Sequence, residues 1–344
     1  MVASGANRIS LLPLQRNRHL KVEAVALFPF PTSAPLDAGY ISLRGMTEHW
    51  LDELWDMAAD SDSNGQFGAR NAPNRAQLQE RLRNARLQTE SCSWAILDNE
   101  SGEFAGEVTL DNFDSERNSI NLSIRLAGTR WFDRGIGTVT LERVLTYAFD
   151  QLGLAKVAVV VPVSNARAHR VFEKLGFQLG RQFTESGDRF QRMALTKLDF
   201  IQALAERLMG ESLDTQRWSF AFDSGKRRAG LCDHTNRRIS LSRHMAAIHP
   251  VDQSRQVMYH EIAHALAGVK HGHDAQWLRI ATDLGYRNER ISAKEVDEEH
   301  ARWQGQCPNG HSYYRYRKPT RQSSCSKCSK TFDTRYLIGW TERV

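Results

Sequence analysis

Two hydropathy periods run through the chain. In its first part, short strand-like runs alternate with helical stretches. Residues 41–44, 94–98 and 120–126 read as strands, and residues 139–152 as a helix. Residues 156–163 read as another strand. Its stretch Val157-Ala158-Val159-Val160-Val161 is an unbroken apolar run of the kind buried on both faces of a sheet. Residues 165–176 read as a helix with Asn165 near its start and Gly176 at its end. A joint falls near residues 196–200, and residues 201–209 read as a helix that opens a second unit. Residues 218–222 and 238–241 then read as strands around a turn at Lys226, with Arg227-Arg228 and Arg237-Arg238 flanking a hairpin. Residues 253–268 form a proline-free helical pattern, with Asp252 as N-cap and Val257, Met258, Ile262 and Leu266 as packing positions. Residues 1–37 read as a poorly ordered leader, because the prolines of residues 28–35 remove backbone donors. Residues 61–74 read as a polar loop.

Bulk numbers narrow this little. At 344 residues, 41% hydrophobic and 25% charged, the chain suits two or three globular units. No run approaches the roughly 20 apolar residues of a membrane span. Arg8, Arg16, Arg18, Lys21 and Glu23 break the apolar stretches near the start, so no signal-peptide core is expected. A formal charge of +6 permits an acidic partner. Cys92 and Cys232 stand alone and the other three cysteines lie near the C-terminus, which gives no disulfide framework. The expected compartment is the reducing cytoplasm.

Residues 260–264 add chemistry: His260-Glu261-Ile262-Ala263-His264 reads H-E-x-x-H inside the last helical pattern. Residues four apart lie on one helix face, so both imidazoles reach one cation. A divalent zinc ion would lower the pKa of its water to about 7, and Glu261 would take that water's proton. A catalytic zinc needs a third protein ligand. His271 and His273 both follow closely, and spacing alone does not choose between them. Further on, Cys307-x-x-x-His311 and Cys325-x-x-Cys328 supply four ligands for a closed, hence structural, zinc site. Between them, residues 313–321 interleave tyrosines with arginines and a lysine. Such a stretch can stack on bases and pair with phosphates, and it reads equally as a solvated hairpin.

This half resembles the SprT-like and Spartan-like zinc metalloproteases, which follow HExxH with a histidine four residues before a large aromatic. The resemblance implies His273, before Trp277, as third ligand, and leaves His271 out. It also implies a zinc ribbon after the protease helices. Because Spartan-like proteases act on proteins crosslinked to DNA, it implies a DNA contact through the basic ribbon.

The first half carries a different signal. Arg134-Gly135-Ile136-Gly137-Thr138 lies at a strand-to-helix turn, where backbone N–H groups and the helix dipole favour a phosphate. Together with the Asn165 helix ending in Lys174-Leu175-Gly176-Phe177, this stretch resembles the GNAT acetyltransferases of the RimJ/RimL type, over about residues 38–198. The resemblance implies that residues 134–138 bind the acetyl-CoA pyrophosphate and that the Asn165 helix lines the pantetheine arm. Two positions depart from it. Phe132 stands where relatives carry a basic residue or glutamine, and Phe172 where many carry a proton-donating tyrosine. Glu107 and Asp111 are carboxylates on a strand facing the substrate groove that could handle the amine proton, though each reads more readily as a solvated surface group.

The expectation is a mixed α+β and α/β chain. A leader (1–37) precedes a GNAT fold with a mixed central sheet flanked by helices (38–198). A small α+β zincin-like domain (199–300) and a zinc ribbon (301–344) follow. The expected function is acetyl-CoA-dependent N-acetylation of a protein N-terminus or other amine, joined to zinc-dependent cleavage of a protein or peptide. The alternative is a nucleic-acid-binding protein with one or both centres idle.

Overall fold

The computed structural model describes residues 33–59, 74–85, 91–226, 228–287, 302–315 and 319–342. The expected leader up to residue 32, the polar loop up to residue 73, Arg227 and Tyr316-Arg317-Lys318 lie outside the described residues.

The first unit is a mixed sheet of β1 (Leu36–Ala38), β2 (Ile41–Gly45), β3 (Cys92–Asp98), β4 (Phe104–Asp114), β5 (Ser119–Leu126), β6 (Lys156–Pro162), β7 (Gln178–Glu185) and β8 (Asp188–Thr196). Its strands run in the order β1-β2-β3-β4-β5-β6-β8-β7. The last residues of the expected leader thus pair into the sheet as β1, because Leu36 is buried. Alternation along β3 separates two cores. Trp94 and Ile96 join the large cluster that also contains Leu141 and Val144 of α3 (Ile136–Asp150). Ala95 faces the opposite way, packing with Leu54 of α1 (Leu51–Ala59) and Leu78 of α2 (Arg75–Ala85). This is a GNAT fold, with helices on both faces of a mixed sheet.

One pairing decides the site. β5 and β6 run parallel but are in register only from Ser119–Asn121 against Lys156–Ala158, and then part. The apolar run of β6 is therefore not wholly buried: Val160 is 46% exposed. The gap leaves a groove of about 160 Å³, walled by Ile124, Val160 and Phe172. On its far side α4 (Ala166–Lys174) begins at Asn165, whose Oδ1 accepts the Ala168 N–H at 3.0 Å.

The second unit contains α5 (Lys197–Ser212), β9 (Ser219–Asp223), β10 (Gly230–Asp233), β11 (Arg238–Ser242), α6 (Arg243–Ile248), α7 (Val251–Ala267) and α8 (Ala275–Asp283). The expected hairpin is not formed. β9 pairs parallel with β11, and β10 pairs antiparallel with β11 from the other side, so β10 is an edge strand. Its four residues, Gly-Leu-Cys-Asp, show too little alternation to announce a strand. The last three-stranded sheet contains β12 (Trp303–Gln306), β13 (Ser312–Arg315) and β14 (Gly339–Glu342), ordered β13-β12-β14.

No linker separates the first two units. Thr196 ends β8 and caps α5 through a reciprocal box with Asp199. Phe200, Ile201 and Leu204 of α5 share one core with Phe149 of α3 and with Met258 and Ile262 of α7. Nor is Asp252 the N-cap of α7. The helix begins earlier, behind Pro250, which offers no side-chain cap. Val251 donates its N–H instead to Oδ2 of Asp150, the last residue of α3, at 2.8 Å. The other carboxylate oxygen of Asp150 lies 2.9 Å from Lys197 Nζ. Asp252 pairs with Arg287.

Candidate functional sites

α7 carries His260, Glu261 and His264, and the loop to α8 carries His273. The three histidine Nε2 atoms lie 3.1–3.2 Å from one another. Burial and the two neighbouring imidazoles push His260 down to about 4, so near neutral pH its ring is uncharged. Neutral imidazoles converging in this way cannot all satisfy one another, because each Nε2 offers one proton or one lone pair. The spacing instead approximates the edges of a tetrahedron around a cation at roughly 2 Å, the Zn–N distance. Trp277 packs against all three rings, with centroids 4.6–5.3 Å away. Asp274 caps α8, its carboxylate accepting the Trp277 backbone N–H at 3.0 Å. His271 turns elsewhere, its Nδ1 lying 2.7 Å from Asp274 Oδ2.

Glu261 points across to β10 and is 8% exposed. Burial pushes its carboxyl up to about 7, against the Cys232 backbone N–H and the Arg228 charge, which pull it down. The approach of helix to strand requires Gly230, where a Cβ would lie 2.6 Å from Val257 and 2.8 Å from Glu261 Oε1. Gly230 and the Cys232 N–H escape a sequence reading, since no local spacing links them to Glu261. Tyr286 was also hidden. Its ring lies 5.5 Å from His260, and burial and the Glu261 charge raise its phenol.

The C-terminal cluster gathers Cys307, His311, Cys325 and Cys328. His311 Nδ1 lies 3.6, 3.4 and 3.3 Å from the three sulfurs in chain order. Cys307 and Cys328 sulfurs are 3.9 Å apart. Metal–sulfur bonds of about 2.3 Å give tetrahedral edges of this size. The Tyr313 hydroxyl adds a contact at 3.0 Å to Cys325 Sγ.

At the glycine turn, Gly135 has φ +78° and forms the N-cap of α3, with the Tyr40 hydroxyl close over it. Tyr40 donates to the Arg134 carbonyl at 3.2 Å. Of the six residues expected to bind acetyl-CoA, Gly137 and Asn165 line the groove. Ile136 is core, so only its backbone can serve a ligand. Arg134 lies over Trp131, and neither it, Gly135 nor Thr138 lines the groove. Phe172 is a buried wall of the groove. Glu107 is not an available base: Arg81 and Arg125 both donate to it, at 2.9 and 3.1 Å. Burial raises Asp111, although Asn112 donates to it. No helix among the described residues is long and apolar enough to cross a membrane.

Residues 41–178 match the family model described as Acetyltransferase (GNAT) domain, and residues 198–297 match the SprT-like family. A Bacillus subtilis (strain 168) protein named "Putative ribosomal N-acetyltransferase YdaF" is 30% identical over 76 residues, 22% of this chain. The match spans 41% of that relative's length. Among solved structures, a GCN5-related N-acetyltransferase from Brucella melitensis is 19% identical, with 55% of this chain and 89% of that one covered and a TM-score of 0.45. The spermidine N-acetyltransferase of Vibrio cholerae, in complex with CoA and spermine, is 17% identical, with 47% and 98% covered and a TM-score of 0.44.

Proposed function

We propose that this chain, which carries a GNAT acetyltransferase domain at residues 41–178 and a SprT-like domain at residues 198–297, performs two reactions. It transfers acetyl groups from acetyl-CoA to an amine, such as a protein N-terminus, and it hydrolyses peptide bonds with zinc. Its working units are residues 38–198 and 199–300, followed by a ribbon at 301–344. The observation that carries the hydrolytic reading is the convergence of three imidazole nitrogens beside a buried carboxylate at a sheet edge.

His260, His264 and His273 hold the catalytic zinc. When bound, zinc polarises the scissile carbonyl and brings the pKa of water towards about 7. Glu261 takes the attacking water's proton on its carboxylate and later delivers it to the departing amine nitrogen. Among the described residues β10 is an edge strand, and where Glu261 does not already hold the Cys232 N–H its outer side would take an extended peptide as a further strand. Cys307, His311, Cys325 and Cys328 hold a second zinc with no position left for substrate, so that site is structural.

In the first unit the parted strands β5 and β6 take the apolar pantetheine arm, and the turn at residues 134–138 presents backbone N–H groups to the pyrophosphate. Asp111 is the carboxylate best suited to receive the amine proton, because Glu107 is committed to two guanidinium groups. Phe172 has no proton to donate, so water or another side chain protonates the thiolate.

Metal analysis tests the two zinc sites together. The purified chain should hold two zinc equivalents, and His260→Ala one. Unchanged content in the variant rules out the histidine site. Acetyl-CoA at millimolar concentration should raise the melting temperature, and no rise sinks the transferase reading. A second reading, DNA contact by the ribbon, is favoured by guanidiniums lying over aromatic rings, Arg315 on Trp340 at 5.8 Å and Arg335 on Tyr336 at 5.6 Å. Such binding should weaken steeply with salt. Absence of binding at low salt eliminates it.

A further inference from the structure

We propose that Arg167 is the phosphate-binding cation of the acetyl-CoA groove, supplying the charge that Phe132 does not. This rests on the acetyl-CoA reading above.

Four observations converge on this side chain. Among the described residues lining the groove, Arg167 is the one cation, and Gly137 of the glycine turn lines the same space. Its Nη1 is buried and has no hydrogen-bond partner among the described residues. Its guanidinium carbon lies 4.3 Å from the Phe132 ring centroid, so the aromatic face holds the cation. Finally, Arg167 sits in the first turn of α4, two residues after the Asn165 cap. There the helix dipole and the unsatisfied N–H groups disfavour a positive charge. The Arg167 side chain as a whole is 39% exposed, but its Nη1 donor is buried and unpaired on a cation at the wrong end of a helix, an arrangement that carries a cost. An anion in the groove reverses both costs.

The partner Arg167 does have is weak. Its Nη2 lies 3.3 Å from Asp133 Oδ2, but the Asp133 side chain is 75% exposed, and solvent screens such a pair. Asp133 acts as a placeholder that a phosphate displaces. The planar fork of arginine suits a pyrophosphate, because two parallel N–H bonds can reach one phosphoryl group. The neighbouring arginines are engaged elsewhere. Arg130 and Arg134 both lie over Trp131, at 4.8 and 5.0 Å, and Arg130 also pairs with Glu103.

The test is calorimetric titration of the full chain with CoA and with pantetheine, which lacks the phosphates. Arg167→Gln should weaken CoA binding about tenfold or more and leave pantetheine unchanged. Its CoA affinity should also depend less on salt. Asp133→Asn, which removes the competing carboxylate, should tighten CoA severalfold. This variant gives an opposite sign that misfolding cannot mimic. CoA binding within twofold of wild type in Arg167→Gln overturns the proposal. So does equal weakening of CoA and pantetheine, which would make Arg167 a wall and not a phosphate ligand. If wild type itself binds no CoA, the acetyl-CoA reading falls and takes this inference with it, a result distinct from the other two.

Discussion

Glu261→Gln should abolish peptide cleavage, lowering the rate about 10²- to 10⁴-fold, while both zinc equivalents stay bound. Glutamine keeps the shape and the acceptor oxygen that meets the Cys232 N–H, but it cannot take a proton. The loss therefore reports the proton transfer alone. Cleavage at the wild-type rate in a zinc-replete variant would remove Glu261 from the mechanism.

The same substitution has a second, opposite consequence. Burial pushes the Glu261 carboxyl up to about 7, against 4.5 for the free side chain. Between those values the folded state binds more protons than the unfolded one, so this group makes stability fall as pH rises. The penalty is complete above pH 7 and is on the order of 3 kcal/mol. His260 works the other way. Its folded value of about 4 lies below the free 6.5, so its contribution is lost as pH falls through that window. Glu261→Gln removes only the first effect. With chelator present, the variant should gain on wild type in denaturant midpoint as pH climbs from about 4.5 to 7. Parallel midpoints across that range would show that Glu261 bears no burial penalty. At neutral pH the variant should be the more stable protein, because glutamine brings no charge into the buried position.

Asp150→Ala should destabilise the first two units at once, by about 3–5 kcal/mol, the usual cost of breaking a buried ion pair from one side. The Asp150 side chain is 7% exposed and its partner Lys197 16% exposed. The substitution also strips the first turn of α7 of its acceptor and leaves the Val251 N–H orphaned. A fall in melting temperature of roughly 10 °C follows for a unit of this size. Because α5 packs against α3 and α7 in one core, the described part up to residue 287 should unfold in a single transition, with the groove and the histidine cluster lost together. Asp150→Asn keeps an oxygen for Val251 and loses only the charge, so its effect should be smaller. Two separate transitions in wild type, or an unchanged melting temperature in Asp150→Ala, would contradict a shared core.

What the sequence determined by itself was local. His260 and His264 share a helix face because four residues make about one turn. Asn165 was legible as a cap because the N–H its side chain accepts belongs to Ala168, three residues along the same helix. The glycine turn and the C-x-x-C pair announce themselves through spacing. Family resemblance chose His273 over His271, and the three rings now found together include His273, while His271 turns to Asp274. The tertiary structure decided the rest. The cap of α7 comes from Asp150, 101 residues away, and not from adjacent Asp252. β10 reaches Glu261 only because Gly230 lets the helix close in. Val160 is exposed although its run is wholly apolar, because β5 and β6 part beside it. Arg167 reads as an ordinary surface arginine until Phe132 and the groove are set against it. Periodicity tells which face of an element is apolar. It cannot tell which distant element covers that face, nor where two strands diverge and leave it open, because those are settled by long-range packing.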